Sequence, residues 1–390
     1  MAAVDPRHAR GNPDLPRAGS LATSPGLPGS LVWLLVALLL VSPVGQASDK
    51  ATLRVLSWGG AYERAQQQAL FAPFSAATGR PVEVMQYAGG IDELRRAEAE
   101  GEVPWDIIDM TKSDAMAACH EGLLQPLAPS LLAPSPEGTP PIQDFLPGSL
   151  SRCAITHSLF ATVVAYRTDA FPGRRPTSID DLFDAQRFPG PRALKRSAAA
   201  NMEWALLAYD VPHQELYRLL STRRGLRLAL DRLGELPDIR WWQDGQTPVE
   251  LLTSGAVVMA SGYNGRFFDA MVNAEAPIEI LWDGQVQEHE TWVIPRGAPN
   301  PDAARKFLRF ATSTERQAEL ARHIPYGPAR RSASLRVTEH PESGADMRLH
   351  IPTHPLNAQR VVIKDEAWYA GTHERIQAFF EAWLADREAD

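Results

Sequence analysis

Several absences narrow the possibilities for this 390-residue chain. It has no excess of positive charge: the formal net charge is −8, and no basic run interleaves with aromatics. That excludes nucleic acid as the expected partner. It has no internal repeat, and no low-complexity segment beyond its first residues. The apolar run over residues 31–41 is too short to span a bilayer as an ordinary helix. Cysteine is scarce, with Cys119 and Cys153 the only pair. What remains is ordinary globular usage, 44% hydrophobic and 22% charged. The length exceeds what one core usually serves, so two domains are expected.

Residues 1–30 are rich in Pro, Gly and Arg and lack apolar periodicity. The apolar run follows, and Val44-Gly45-Gln46-Ala47 then places small residues where a signal peptidase reads. Residues 1–47 are therefore expected to be a secretory signal with a long n-region, the alternative being an uncleaved anchor. Removing them takes away three arginines and two acids, so the net charge moves from −8 to −9. Export would put the chain in an oxidising compartment, where Cys119 and Cys153 can form a disulfide; two separately buried thiols are the alternative. The segment between them is rich in proline (Pro126, Pro129, Pro134, Pro136, Pro140, Pro141), and a covalent tie would restrain it.

The stretch from 53 to 126 organises the rest. Residues 53–57 read as a strand, Trp58-Gly59-Gly60 as a break, and 61–78 as an amphipathic helix. A strand at 82–86, a Gly89-Gly90 turn, a helix at 91–100 and a strand at 105–110 follow. Alternating strands and helices imply a mostly parallel sheet that binds ligands at its carboxyl ends. Trp58, Tyr87 and Asp109 stand at three such ends. The glycines after Trp58 allow close backbone approach and leave the indole free to stack. Packing of Trp58 and Tyr87 against the helices is the competing reading.

This stretch resembles the first lobe of the periplasmic solute-binding proteins of ABC transporters, in the spermidine/putrescine-binding branch. The resemblance runs from about residue 53 to the end of the chain. It implies an α/β, two-lobed type II fold, each lobe a mostly parallel sheet flanked by helices, with a ligand crevice between lobes. Approximate boundaries are 48–157 plus 262–310 for lobe 1 and 158–261 plus 311–390 for lobe 2. It also implies a periplasmic monomer that binds a small amine-containing solute, hands it to a permease, and needs no cofactor.

Further candidates follow along the chain. Residues 160–167 read as a strand that would cross between lobes, putting Phe160, Ala161 and Thr162 on the crevice floor. Glu203, in the first turn of a helix over 201–209, stands near the point where the family places a ligand-facing acid. A helix-stabilising surface acid is the simpler reading. The run from 239 to 266 carries the most family-specific pattern and contributes Trp242, Tyr263 and Arg266. Polyamine binders have Trp where Tyr263 stands, and some have an acid where this chain has Gly265, followed by Arg266. The departure matters because a diamine needs carboxylates at both ends. A guanidinium suits a ligand carboxylate, as in an ω-amino acid such as γ-aminobutyrate (GABA), unless Arg266 pairs with Asp269 or Glu279 on the surface.

Residues 278–282 and 285–295 read as two strands with a turn at Gly284. Glu290 and Trp292 share a face in the second, offering charge pairing and a cation–π contact to an ammonium. An isolated Glu-His-Glu at 288–290 is no metal site by itself. Tyr326 lies in a stretch resembling the family's return loop to the crevice. An enzyme on the same fold, thiaminase-like with Cys119 or Cys153 as nucleophile, is the second hypothesis. Ferric-ion receptors are disfavoured because no adjacent tyrosine pair occurs.

Overall fold

The computed structural model describes residues 51–389, so the expected signal region, 1–47, lies outside the described residues. Ten strands form one sheet: β1 Leu53–Ser57, β2 Val82–Gln86, β3 Ile107–Thr111, β4 Ala154–Arg167, β5 Arg192–Lys195, β6 Ile239–Trp242, β7 Met259–Tyr263, β8 Ile278–Val293, β9 Gly327–Pro328 and β10 Val361–Ile363. The main path runs β2-β1-β3-β8-β4-β7-β5-β6, with β10 added to β8 and β9 to β4. The expected β-α-β-α-β opening is present. β1 pairs in parallel with β2 and β3. The first helix runs Gly60–Gln66, a π turn Gln67–Phe71 and Ala72–Thr78, and Gly79 ends it in the left-handed conformation.

β4 and β8, 14 and 16 residues long, lie antiparallel at the centre and join two parallel groups. On one side β3 pairs with the far end of β8, Thr111 opposite Glu290 and Asp109 opposite Trp292. On the other, β7 pairs with the far end of β4, Thr162 opposite Tyr263, and β5 and β6 extend from it in parallel. This is the two-lobed α/β architecture of periplasmic binding proteins, with β4 and β8 as the crossing strands.

The expected turn at Gly284 is corrected by the structure, which carries one strand through it. Gly284 takes φ 72°, and the pairing with β4 slips from Thr162↔Val286 to Val164↔Leu281. The glycine makes a bulge that bends β8 rather than ending it. β4 also begins earlier than residue 160, because the polar-looking residues from Thr156 to Ser158 are buried between neighbouring strands.

Both sheet faces are covered in each group. Leu53, Val55 and Ile107 pack with Phe71, Phe74 and Phe307 on one face. Leu56, Ile108 and Met110 pack with Leu94 and Val293 on the other. That is the period-2 alternation of strands buried on both sides. In the second group Leu194 and Met259 meet Trp204, Leu230 and Phe380, while Ala193 and Ala260 meet Trp242 and Phe267. Cys119, at the end of the helix Lys112–His120, is disulfide-bonded to Cys153 just before β4, with Cα atoms 5.9 Å apart. No helix among the described residues is long and apolar enough to cross a membrane.

Candidate functional site

The carboxyl ends of β1, β3, β5 and β7 face one another across the middle of β4 and β8, and a cavity of about 330 Å³ opens there. That volume suits a small molecule. Trp58 follows β1, Thr111 ends β3, Lys195 ends β5 and Tyr263 ends β7; Phe160 and Thr162 come from β4, Glu288 and Glu290 from β8. Tyr326 arrives on the loop before β9, as expected of the return loop, and Arg266 on the helix Asn264–Phe268. Thus Trp58, Phe160, Thr162, Tyr263, Arg266, Glu290 and Tyr326, all singled out from the sequence, line one cavity, whereas Ala161 is buried in the core beside it.

The other candidates stand behind it. Tyr87 packs against Trp58 in a tilted pair, 4.9 Å between centroids, and donates its hydroxyl to the Asp109 carbonyl at 2.6 Å, so it braces the indole from outside. Gly89 (φ 93°) makes room for that arrangement, since a Cβ there would sit 2.7 Å from the Trp58 ring. Asp109 is buried beneath the floor, accepting from Tyr62 Oη at 2.8 Å and Gln66 Nε2 at 2.5 Å and pairing with His157 Nε2 at 3.1 Å. Trp292 shares the face of Glu290 but lies two residues deeper, stacked on His157 at 4.6 Å and packed on Phe307. Trp242 is buried behind Tyr263, its indole donating to Ser261 Oγ at 3.1 Å. Glu203 is neither at the cavity nor on the surface. It is buried, accepting from Tyr369 Oη at 2.6 Å and Tyr217 Oη at 3.2 Å, and burial raises its pKa.

The aromatic wall is continuous. Tyr62 lies 5.3 Å from Tyr326, Tyr326 5.8 Å from Phe160, and Phe160 5.7 Å from Tyr263. Apolar area is therefore plentiful, and a few charged groups supply orientation. Glu290 Oε2 accepts from Trp58 Nε1 at 3.2 Å. Burial first, then the charges of Asp109 and Glu288, hold the Glu290 carboxyl well above the usual carboxylate range. Glu288 has its own partners, the Lys364 ammonium and the Thr162 hydroxyl.

The surface pairing that the sequence allowed for Arg266 does not form. Asp269 pairs with Arg64 at 2.8 Å and Glu279 with Arg175 at 2.6 Å, so neither neutralises Arg266. Its guanidinium donates to the Trp58 carbonyl at 3.5 Å and meets no carboxylate at ion-pair distance among the described residues. Gly60, with φ 65°, is required beside it, because a Cβ there would collide with the guanidinium.

Sequence reasoning missed Tyr62, Lys195, Asp114, Glu288, Lys364 and His373, all of which line the cavity. A signal existed for Glu288, two residues before Glu290 on the same strand. Lys195 closes a four-residue strand too short to show alternation. The disulfide engages both cysteines, leaving no free thiol to act as the nucleophile of a thiaminase-like enzyme. No cluster of potential metal ligands occurs among the described residues, and His289 is instead paired with Glu366 at 2.6 Å.

A two-lobed sheet with a small-molecule cavity at the strand ends defines a solute receptor of the periplasmic binding-protein class. The chain belongs to the bacterial extracellular solute-binding protein family, whose model matches residues 69–347, and proteins of this kind are the substrate receptors of ABC importers. It is 31% identical over 348 residues to the gamma-aminobutyric acid-binding protein of Pseudomonas aeruginosa, covering 89% of this chain and 94% of the relative. Among solved structures it is similar to the binding protein MotA of Agrobacterium tumefaciens B6 in complex with glucopine. That match has TM-score 0.76 and 27% identity, covering 85% of this chain and 99% of the other. It is likewise similar to a GABA receptor, with TM-score 0.72 and 27% identity, covering 85% and 97%.

Proposed function

We propose that this receptor works in the periplasm as a monomer, captures a small zwitterionic amine that carries a carboxylate, and delivers it to an ABC permease without chemical change. The observation that carries the reading is Arg266, a guanidinium at the cavity with no carboxylate partner. A desolvated charge without a counter-ion is costly, and a ligand carboxylate removes that cost with a bidentate contact. Glu290, held by the Trp58 indole, supplies the counter-ion for the ligand ammonium, and the Trp58 face adds a cation–π contact. A diamine is disfavoured because it would bring two ammonium groups to a cavity that already holds this guanidinium.

GABA is the simplest compound of this class and the probe we favour, supported by the GABA-binding relative and the GABA receptor structure. The lobe boundaries we propose follow the crossing strands and the packing. Residues 51–157, 288–334 and the helices within them form lobe 1; 162–283 and 361–389 form lobe 2. Residues 264–283 thus go with lobe 2 and 311–334 with lobe 1. Export by the signal at 1–47 brings the chain to the periplasm.

A thermal-shift comparison of the mature protein tests the assignment. GABA at a 100-fold excess over its dissociation constant is expected to add about 2.7 kcal/mol of stability. Putrescine at the same concentration is expected to leave the transition unmoved. A shift with putrescine and none with GABA overturns the reading.

A further inference from the structure

We infer that the cavity is built for an amine bearing two carboxylates, the second received by Lys195 where it meets Tyr263. This rests on the reading of Arg266 and Glu290 above. Lys195 projects from the carboxyl end of β5 into the cavity, donates its ammonium to Tyr263 Oη at 2.8 Å, and lies 5.5 Å from the centroid of that ring and 5.9 Å from that of Trp242. It has no carboxylate at ion-pair distance among the described residues. Glu288, the acid whose charge acts on Lys195, is engaged by Lys364 and by Thr162.

The charges around the cavity therefore do not all pair off locally. Lys364 is matched by Glu288, and Arg196 by Glu381 and Glu388. Burial keeps His373 below its usual range, which favours the neutral ring. Asp114 lines the cavity, accepts from the Thr111 hydroxyl at 2.9 Å and has no cation at ion-pair distance among the described residues. Arg266 and Lys195 are left without an ion-pair partner among the described residues, and Glu290 and Asp114 are the cavity acids without a cation at ion-pair distance. A monocarboxylate amino acid neutralises one of the two cations and leaves the other desolvated, which is unfavourable. A ligand with one ammonium and two carboxylates matches both cations, its ammonium facing Glu290 or Asp114. Both cations flank Tyr263: an ideal Cβ on Gly245 would lie 3.0 Å from Arg266 Nε and 3.2 Å from Tyr263 Cε2. The two carboxylates are thus received around one phenol ring.

Calorimetry on the mature protein tests this with three probes. GABA has one carboxylate, L-glutamate is GABA with a second carboxylate on the amine-bearing carbon, and N-carboxymethyl-γ-aminobutyrate carries it on nitrogen. One of the two dicarboxylates is expected to bind about tenfold or more tighter than GABA. Lys195→Met is expected to weaken that dicarboxylate about thirtyfold or more, the fold-change of a lost buried charge partner. The same variant is expected to bind GABA more tightly than the parent does, since it removes the cation that this ligand leaves unmatched. Lys195→Arg, which keeps the charge, is expected to retain the preference. GABA binding tighter than both dicarboxylates overturns the second subsite while leaving the Arg266 reading intact. Equal weakening of all probes by Lys195→Met also overturns it, making Lys195 a support for Tyr263. If none of the three binds, the zwitterion reading fails and this inference fails with it.

Discussion

Glu290 must be ionised to receive an ammonium, yet burial and the neighbouring Asp109 and Glu288 favour its protonated form. Its folded-state pKa is raised, so the group holds its proton above the ordinary carboxylate range and gives it up as pH rises toward the raised value. Ligand binding is expected to release a proton, and affinity to rise with pH until Glu290 is ionised in the free protein. In the empty receptor the same group lowers stability as pH rises from the usual glutamate range toward the raised value, because the unfolded chain ionises first. Glu290→Gln removes both dependences. Calorimetry in two buffers of different ionisation enthalpy reads the proton directly; equal heats in both buffers for the parent contradict the account. Sequence made seven cavity residues legible: Trp58, Tyr263 and Arg266 end or follow strands, Phe160, Thr162 and Glu290 lie on the crossing strands, and Tyr326 lies on the return loop. Depth was not legible: alternation puts Trp292 on the face of Glu290 but cannot show that His157 and Phe307 cover it. Nor could it show that Asp109 turns beneath the floor toward Tyr62 and Gln66.

At the scale of elements, β4 and β8 carry the architecture, and their reading from sequence was partial. Polar Thr156, His157 and Ser158 hid the start of β4, and Gly284 looked like a turn because a glycine at positive φ serves turns and bulges alike. The cysteine pair was legible from composition and export. The bond closes a separation of 34 residues and restrains the proline-rich segment, constraining mainly the unfolded chain. Replacing both cysteines with serine is expected to cost about 2 to 4 kcal/mol in a denaturant titration. Ligand affinity is expected to stay within about twofold of the parent, as neither residue lines the cavity. Unchanged stability, or lost binding in a folded variant, counts against this role.

Across the whole molecule, with the lobe boundaries proposed above, ion pairs join the two lobes. Lys112 meets Glu366 at 2.7 Å, Arg64 meets Asp269 at 2.8 Å and Arg95 meets Glu374 at 3.1 Å. Only the first is well buried, and Glu366 also holds His289; against the penalty of burial, these partners keep its pKa low. The two exposed pairs contribute little, roughly 0 to 1 kcal/mol each. Lys112→Met leaves Glu366 with one fewer partner and is expected to weaken ligand binding by about tenfold or more, whereas Arg64→Ala changes it by less than about threefold. Equal effects of the two on calorimetric affinity would contradict this ranking. None of these long-range pairs was visible in the sequence, because each joins residues far apart in the chain.

The central claim is that Arg266 receives a ligand carboxylate, and calorimetry on Arg266→Ala tests it most directly. A carboxylate-bearing amine, with GABA as the probe, is expected to lose about 2 to 5 kcal/mol of binding free energy, while the variant folds as the parent does. GABA affinity unchanged from the parent, or putrescine binding strengthened by the loss of a repelling charge to become the preferred ligand, would contradict the account.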